Sequence, residues 1–343
     1  MPKICVILVN FNGWRDTLEC LESLRNLNYR NVQVIVVDNC SGDDSLLQLH
    51  AQLSKVEEFS SVSQVKRNEF RLEDGVTVNV STIDWQESSS TVGEHGYVWP
   101  LAIIESDCNR GFSGGNNIGI RFALSECNAH YCWLLNNDTI VDRYSLDELY
   151  RTFRERESAE KPLAFCGSVI MDFDERNVIQ SFGGGLVNPY FGTTKSFLAG
   201  TTLKSLPVGT PCRVPDYISG CSLLLKASQI DRTGLLDEAY FLYWEDTEWS
   251  YRCKSLGMDI AVASESKIWH RRGSTSTRYP IAGFYNTRNS LWFFRQYFPG
   301  TLIFCLLLKP LSIFAVALKN LNFAFLRESM RGYLAFCKTW SRG

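Results

Sequence analysis

The stretch that decides the fold is Ile4-Cys5-Val6-Ile7-Leu8-Val9, followed at once by Asn10-Phe11-Asn12-Gly13. Six consecutive apolar residues closed by turn formers read as a strand buried on both faces. Leu18, Leu21 and Leu24 then recur at helical spacing between Trp14 and Leu27, and Val32–Val37 (VQVIVV) repeats the strand pattern. Ala102–Glu105 reads as a short third strand, Ser113–Cys127 as a helix and Tyr131–Leu135 (YCWLL) as another buried strand. Strands alternating with helices predict an α/β fold with a mostly parallel sheet and right-handed crossovers.

Outward from this core the pattern changes twice. Between about Glu57 and Pro100 the chain is polar, with Ser88-Ser89-Ser90 and one alternating run, Val76–Val80. It reads as an insertion holding one hairpin. A polar helix is expected at Leu146–Glu157. After it the chain turns rich in strands and loops, through Ala164–Met171, Gly183-Gly184-Gly185 and Tyr217–Lys226, before a helix near Asp246–Leu256. From Phe284 onward it is aromatic and apolar. Leu302–Leu318 contains Lys309 and Pro310. A bilayer span needs about 20 apolar residues, so this segment suits a kinked interfacial helix pair better. The division expected is a domain over 1–283, interrupted by the 57–100 insertion, and a C-terminal helical segment over 284–343.

Composition bounds the function. The 343 residues are 45% hydrophobic and 21% charged, as in globular proteins. A net charge of −2 gives the whole chain no attraction for nucleic acid. The charge is uneven, however. Residues 281–343 hold eight Lys and Arg against Glu328 alone, a balance of +7 that leaves −9 on the rest. A basic, apolar tail on an acidic body points to a membrane surface as partner. The 12 cysteines include no C-x-x-C pair, so no zinc site of the usual spacing is expected. The N-terminus does not read as a signal peptide, which predicts reduced thiols and a cytoplasmic setting.

Ligands of open parallel sheets bind beyond the carboxyl ends of the strands. Three polar clusters fall there: Asn10–Gly13, Asp38-Asn39 and Asn136-Asn137-Asp138. Each singly is a plausible turn; together they line one rim. Asn109–Asn117 (NRGFSGGNN) opens the next helix, where glycines allow a ligand, or a strand, to come close. It is not the dinucleotide fingerprint, which directly follows a strand. Farther on, Glu245, Asp246 and Glu248 crowd among aromatics at a helix start. Acids commonly cap helices, yet an apolar setting also raises a carboxylate's proton affinity, as a general base requires. His270 follows a short apolar run and, beside Asp138, would complete a metal site.

The motifs VILVNFNG, VVDN-x-S-x-D, NRGFSGGNNIG, LLNNDT, SGCSLLL, LDEAYFLYWEDTEWSYR and WHRRGSTS resemble those of the family 2 glycosyltransferases. They are especially similar to the rhamnosyltransferase branch acting on cell-surface polysaccharides. The resemblance spans roughly residues 3–298, outside the insertion. It implies a GT-A fold and inverting transfer of a sugar from a nucleotide diphosphate donor, with dTDP-rhamnose favoured, to a saccharide or lipid-linked acceptor. It further implies that Val9 and Phe11 pack on the base and that Asp38 and Asn39 bond to base or ribose. Gly111, Gly114, Asn117 and Asn137 would line the donor pocket. Asp138 and His270 would hold Mg²⁺ or Mn²⁺, Asp246 would be the base with Glu245 beside it, and Ser219, Gly220 and Trp244 would face the acceptor. Only Asp138 is acidic at the D-x-D position. The expected location is the cytoplasm, peripheral on the inner face of the cell membrane.

Two rivals stand beside this reading. A sugar-phosphate nucleotidyltransferase would need an N-terminal Gly-rich loop with basic residues, which the sequence lacks. A catalytically silent, membrane-associated carbohydrate-binding or scaffold protein is favoured by the amides Asn136 and Asn137 at the D-x-D position and opposed by Asp138, Asp246 and His270.

Overall fold

The computed structural model describes residues 1–51, 66–72, 75, 77–83, 100–205, 215–271, 280–319 and 321–340. Its first half is the alternation the apolar runs predict. Strand β1 (Ile4–Asn10) leads to α1 (Trp14–Leu24) and β2 (Val32–Asp38). A hairpin, β3 (Lys66–Arg71) and β4 (Thr77–Ile83), precedes β5 (Leu101–Glu105) and α2 (Gly111–Ser125). Then come β6 (Tyr131–Leu135), β7 (Thr139–Val141) and α3 (Ser145–Glu155). The second half adds β8 (Leu163–Asp172), β9 (Ile179–Phe182), β10 (Gly184–Asn188), β11 (Thr193–Ser196), β12 (Tyr217–Ile218), β13 (Ser222–Lys226), α4 (Glu245–Ser255) and β14 (Asp259–His270). Three helices follow: α5 (Ile281–Tyr297), α6 (Leu302–Lys319) and α7 (Phe323–Trp340).

Among the described residues the main sheet has 11 strands, in the order β3-β4-β5-β2-β1-β6-β13-β8-β14-β7, with β9 paired to β8. Strands β5, β2, β1 and β6 are mutually parallel. The alternating run at 76–80 falls largely in β4, and the hairpin joins the sheet edge antiparallel to β5. The rest of the expected insertion lies outside the described residues. A smaller sheet, β11-β10-β12, stands beside the main one.

The continuous apolar run of β1 has its reason in two cores. Ile4, Val6 and Leu8 pack with Leu24 of α1 and Leu149 of α3 on one face. Cys5 and Ile7 pack with Ile118 and Phe122 of α2 on the other. Helix α2 comes unusually close to the sheet, because a Cβ at Gly119 would lie 2.4 Å from Ile7 Cγ2.

A third core joins Tyr240 and Trp244 to Phe293 and Phe294 of α5, Leu302 and Cys305 of α6 and Phe336 of α7. The boundary expected at 283–284 therefore falls inside α5, a helix that packs on the body. The helix pair expected about Lys309-Pro310 is one continuous helix instead: α6 runs from Leu302 to Lys319 with Pro310 inside it. Proline removes the bond its N–H would make to the carbonyl four residues back. Here that carbonyl, on Leu306, accepts the Tyr333 hydroxyl of α7 at 3.1 Å, so the acceptor left without its helical donor is satisfied from the neighbouring helix.

Gly119→Ala is expected to lower stability by about 1–3 kcal/mol through overpacking, despite alanine's better helix propensity. In urea unfolding, combining it with Ile7→Ala should cost less than the sum of the two single changes, because the clashing methyl is gone.

Candidate active site

The rim is built from buried polar side chains, which must find partners inside the protein. Asn10 Nδ2, at the end of β1, donates to Asp38 Oδ2 at the end of β2, 2.7 Å away. Thr17 Oγ1 of α1 donates to Asn10 Oδ1 at 2.8 Å. Asn137 Nδ2, just past β6, donates to Thr17 Oγ1 at 2.8 Å. Ser41 closes the far end, its N–H and Oγ donating to Asp38 Oδ1 and Oδ2 at 3.0 and 2.7 Å. One hydrogen-bonded relay thus crosses the ends of three parallel strands. Phe11 stands on this rim, 37% exposed, with Val9 partly buried beneath it.

Two expected ligand-binding amides are otherwise engaged. Asn39 donates to Asn109 Oδ1 and Gly111 O and accepts from Arg110 N–H, holding the loop before α2. Asn117 donates to Leu236 O and Glu238 Oε1 and accepts from Leu236 N–H. These contacts commit both amides to neighbouring loops, the one before α2 and the 236–238 turn. Gly111 has φ +68°, and a Cβ there would lie 2.2 Å from Phe241 O. Gly114 leaves room for the Arg110 side chain, 2.6 Å from where its Cβ would be.

Across the rim, β14 brings His270 to Asp138, with Nε2 3.2 Å from Oδ1. His270 Nδ1 is 3.0 Å from Gln180 Oε1 on β9. His270 Nε2, facing Asp138, is also 3.4 Å from Asn136 Nδ2. Arg271 ties the end of β14 to α1 through Asp16 and Glu19, at 2.7 and 2.5 Å. Among the described residues no group of three or more His, Cys, Asp or Glu converges on one point.

The acids Glu245 and Asp246 open α4. Asp246 Oδ2 accepts Gly220 N–H at 2.9 Å, and Oδ1 accepts Thr247 N–H at 2.6 Å. Burial raises the proton affinity of Asp246, and these backbone donors oppose the rise. Glu245 is buried and its Oε2 lacks a hydrogen-bond partner. Burial, then the neighbouring Asp246 charge, pushes its carboxyl well above the ordinary range. Ser219 Oγ accepts Cys221 N–H at 3.3 Å beside Gly220. Trp244, expected on the acceptor side, is buried against Phe293 and donates to Asn286 Oδ1 at 2.8 Å. Its indole is part of the third core, which corrects that expectation.

The approach to α4 is strained. Phe241, Tyr243 and Trp244 have φ of +64°, +68° and +73°, values costly for bulky residues and concentrated at functional sites. Helix α5 holds them there. Asn289 Nδ2 reaches the carbonyls of Tyr240, Leu242 and Tyr243 at 2.7–2.9 Å, and Tyr285 stacks on Phe241. Asn286, Asn289, Thr17 and Gln180 were not among the expected site residues. The run Asn286-Thr287-Arg288-Asn289, polar inside an aromatic helix, was the available signal for the first two.

A carboxyl protonated in the folded state stabilises below its unfolded pKa, and that stability is lost as pH rises through the folded value. Glu245→Gln is therefore expected to melt higher than the parent at pH 8, by roughly 2–4 °C for about 1 kcal/mol. The difference should close toward pH 4, as thermal melts across pH would show.

With this geometry in hand, the comparisons with known proteins are specific. Residues 5–76 match the model of Glycosyl transferase family 2. A low-salt glycan biosynthesis hexosyltransferase of Haloferax volcanii is 23% identical over 71% of this chain and 69% of its own length. A dTDP-rhamnosyl transferase of Shigella flexneri is 23% identical over 55% of this chain and 61% of its own, so less than two thirds of that relative is spanned. A mannosyltransferase from Pyrobaculum calidifontis, solved with GDP-Man and Mn²⁺, superposes with TM-score 0.53 at 12% identity over 98% of this chain and 86% of that one. The chain is thus similar to family 2 glycosyltransferases over residues 5–76 and to two glycosyltransferases over longer stretches, and its fold is GT-A-like.

Proposed function

We propose that the chain transfers a sugar, with inversion, from a nucleotide diphosphate donor to a hydroxyl of a saccharide or lipid-linked acceptor in surface polysaccharide synthesis. The observation that carries this reading is the meeting of Asp138 with His270 at 3.2 Å on the rim that also bears Phe11 and Asp38. One carboxylate and one imidazole suit a divalent ion whose other ligands are diphosphate oxygens. Asp138 and His270 would hold Mg²⁺ or Mn²⁺, which neutralises charge on the departing diphosphate. The Mn²⁺ in the Pyrobaculum mannosyltransferase supports this assignment. Rhamnose as the transferred sugar, with dTDP-rhamnose as donor, is favoured by the Shigella relative's name.

The chain's own residues supply the rest. Phe11, exposed on the rim, offers a face for the base. The Gly220 and Thr247 N–H groups fix the Asp246 carboxylate. From there it accepts the acceptor hydroxyl's proton as that oxygen attacks the anomeric carbon opposite the diphosphate. The carbon–oxygen bond to the diphosphate breaks as the new one forms, so inversion needs no covalent intermediate. Glu245, protonated beside it, leaves Asp246 as the base of the pair. The silent carbohydrate-binding or scaffold reading is favoured only by Asn136 and Asn137 at the D-x-D position. Nucleoside diphosphate release by the purified protein separates the two. We also place the chain at the inner face of the cell membrane, held by its basic, apolar tail.

Asp246→Asn is expected to keep donor affinity and lower kcat by about 10²- to 10⁴-fold, the range for a positioned general base. Retained turnover within about tenfold would remove Asp246 from that role. Asp138→Ala and His270→Ala should each weaken Mn²⁺-dependent binding of dTDP by at least roughly tenfold in calorimetry. Metal-independent binding unchanged between parent and variants would return both residues to structural roles.

A further inference from the structure

Helix α6 is apolar on every side, although it lies on the surface. One stripe, with Leu302, Cys305, Ile313 and Ala317, is buried against the body. The opposite stripe, Phe304, Leu307, Leu311, Phe314 and Leu318, is exposed to between 48% and 67%. A helix hydrophobic all round belongs in a core or in lipid, and its length and composition would also suit a membrane span. Yet its inner stripe is already occupied by protein.

The exposed stripe does not stand alone. The turn between β10 and β11 carries Tyr190 and Phe191, 59% and 55% exposed. The Tyr190 ring meets that of Phe304, with centroids 6.4 Å apart. The two elements are stapled together from within. Lys309 is the sole charged residue of the 302–318 stretch. Its ammonium turns inward and donates to Gly192 O at 2.7 Å, on the same turn. That bond removes charge from the outer stripe and fixes the turn beside it. Next to this apolar face, α7 presents Phe323, Arg327, Arg331, Leu334 and Lys338 at successive helical spacings, all exposed. An apolar stripe flanked by basic residues is the pattern of helices lying in an anionic interface.

We infer that the 190–191 turn and the outer face of α6 form one surface that inserts into a single leaflet of an anionic membrane, with the basic stripe of α7 on the headgroups. The inference rests on the membrane attachment proposed above and goes beyond it, since the turn lies far from the tail in sequence. Anionic lipid is favoured over a second copy of the chain because the flanking stripe is basic and would face itself in a symmetric pair.

The test is vesicle flotation of the full chain, with hydrogen exchange read on residues 188–192 and 302–318. Vesicles are phosphatidylcholine alone or mixed with phosphatidylglycerol. Both segments should gain protection on the mixed vesicles. Tyr190→Ser with Phe191→Ser should weaken partitioning by at least about tenfold, with unchanged melting and unchanged dTDP binding. Arg327→Gln with Arg331→Gln should weaken binding only to the anionic vesicles, by roughly fivefold per charge. If the parent binds but the turn gains no protection and its double variant binds equally, the turn is not part of the surface, while the tail attachment stands. If the parent ignores both vesicle types at low salt, the attachment itself fails. A lipid-free dimer that protects 302–318 would overturn the inference in favour of a second copy.

Discussion

The relay from Asp38 through Asn10 and Thr17 to Asn137 is the constraint on which the site depends. It joins the carboxyl ends of β2, β1 and β6 at 2.7–2.8 Å per step, in a region where Asn10 and Thr17 are fully buried. Strand ends are where a sheet ceases to satisfy its own polar groups, so their placement must come from elsewhere. Here side chains of one strand serve the next, and each polar group of the relay finds its partner within the protein. Leaving any member unpaired would cost roughly 1–3 kcal/mol of desolvation. That penalty specifies the arrangement more sharply than the apolar cores beneath it, which tolerate similar shapes.

Hydrogen-bonded order at the strand ends is matched by backbone strain before α4. The segment from Phe241 to Trp244 holds three bulky residues at positive φ, and it is held in place from both sides. Gly111 lets α2 approach Phe241 O, while Asn289 gathers three carbonyls from the α5 side. The outcome is the placement of Glu245 and Asp246 at the first turn of α4, with Asp246 locked on Gly220 N–H. Helix α5 is therefore as much part of the architecture around Glu245 and Asp246 as the sheet, and a domain boundary at 283–284 would cut through that support.

What sequence reading could reach follows from what each signal encodes. Apolar runs encode burial on both faces, so β1, β2 and β6 and the rim beyond them were legible from ICVILV, VQVIVV and YCWLL. Motif resemblance singled out Asp138, His270 and Asp246, and the fold brings the first two within 3.2 Å of each other. It did not distinguish a side chain that meets a ligand from one that builds the wall. Asn39, Asn117 and Trp244 sit in the right motifs, but their polar atoms are engaged by the loop before α2, the 236–238 turn and Asn286. Gln180 was illegible for a different reason. It acts from β9 on a histidine 90 residues away, and only pairing with β8 brings it there.

The direction of the relay also accounts for the amide at position 137, the middle residue of Asn136-Asn137-Asp138. Asp38 is acceptor-only when ionised, so Asn10 must turn its Nδ2 toward it and its Oδ1 away. Thr17 then has to give its single hydroxyl proton to that Oδ1. With its proton committed, Thr17 Oγ1 can only accept from the next member. An aspartate at 137 would face it with two acceptors and no hydrogen. An asparagine supplies the donor, and does so at 2.8 Å. The amide at 137 is thus fixed by hydrogen-bond parity running back to Asp38. Asp138, outside that relay, is the residue that meets His270.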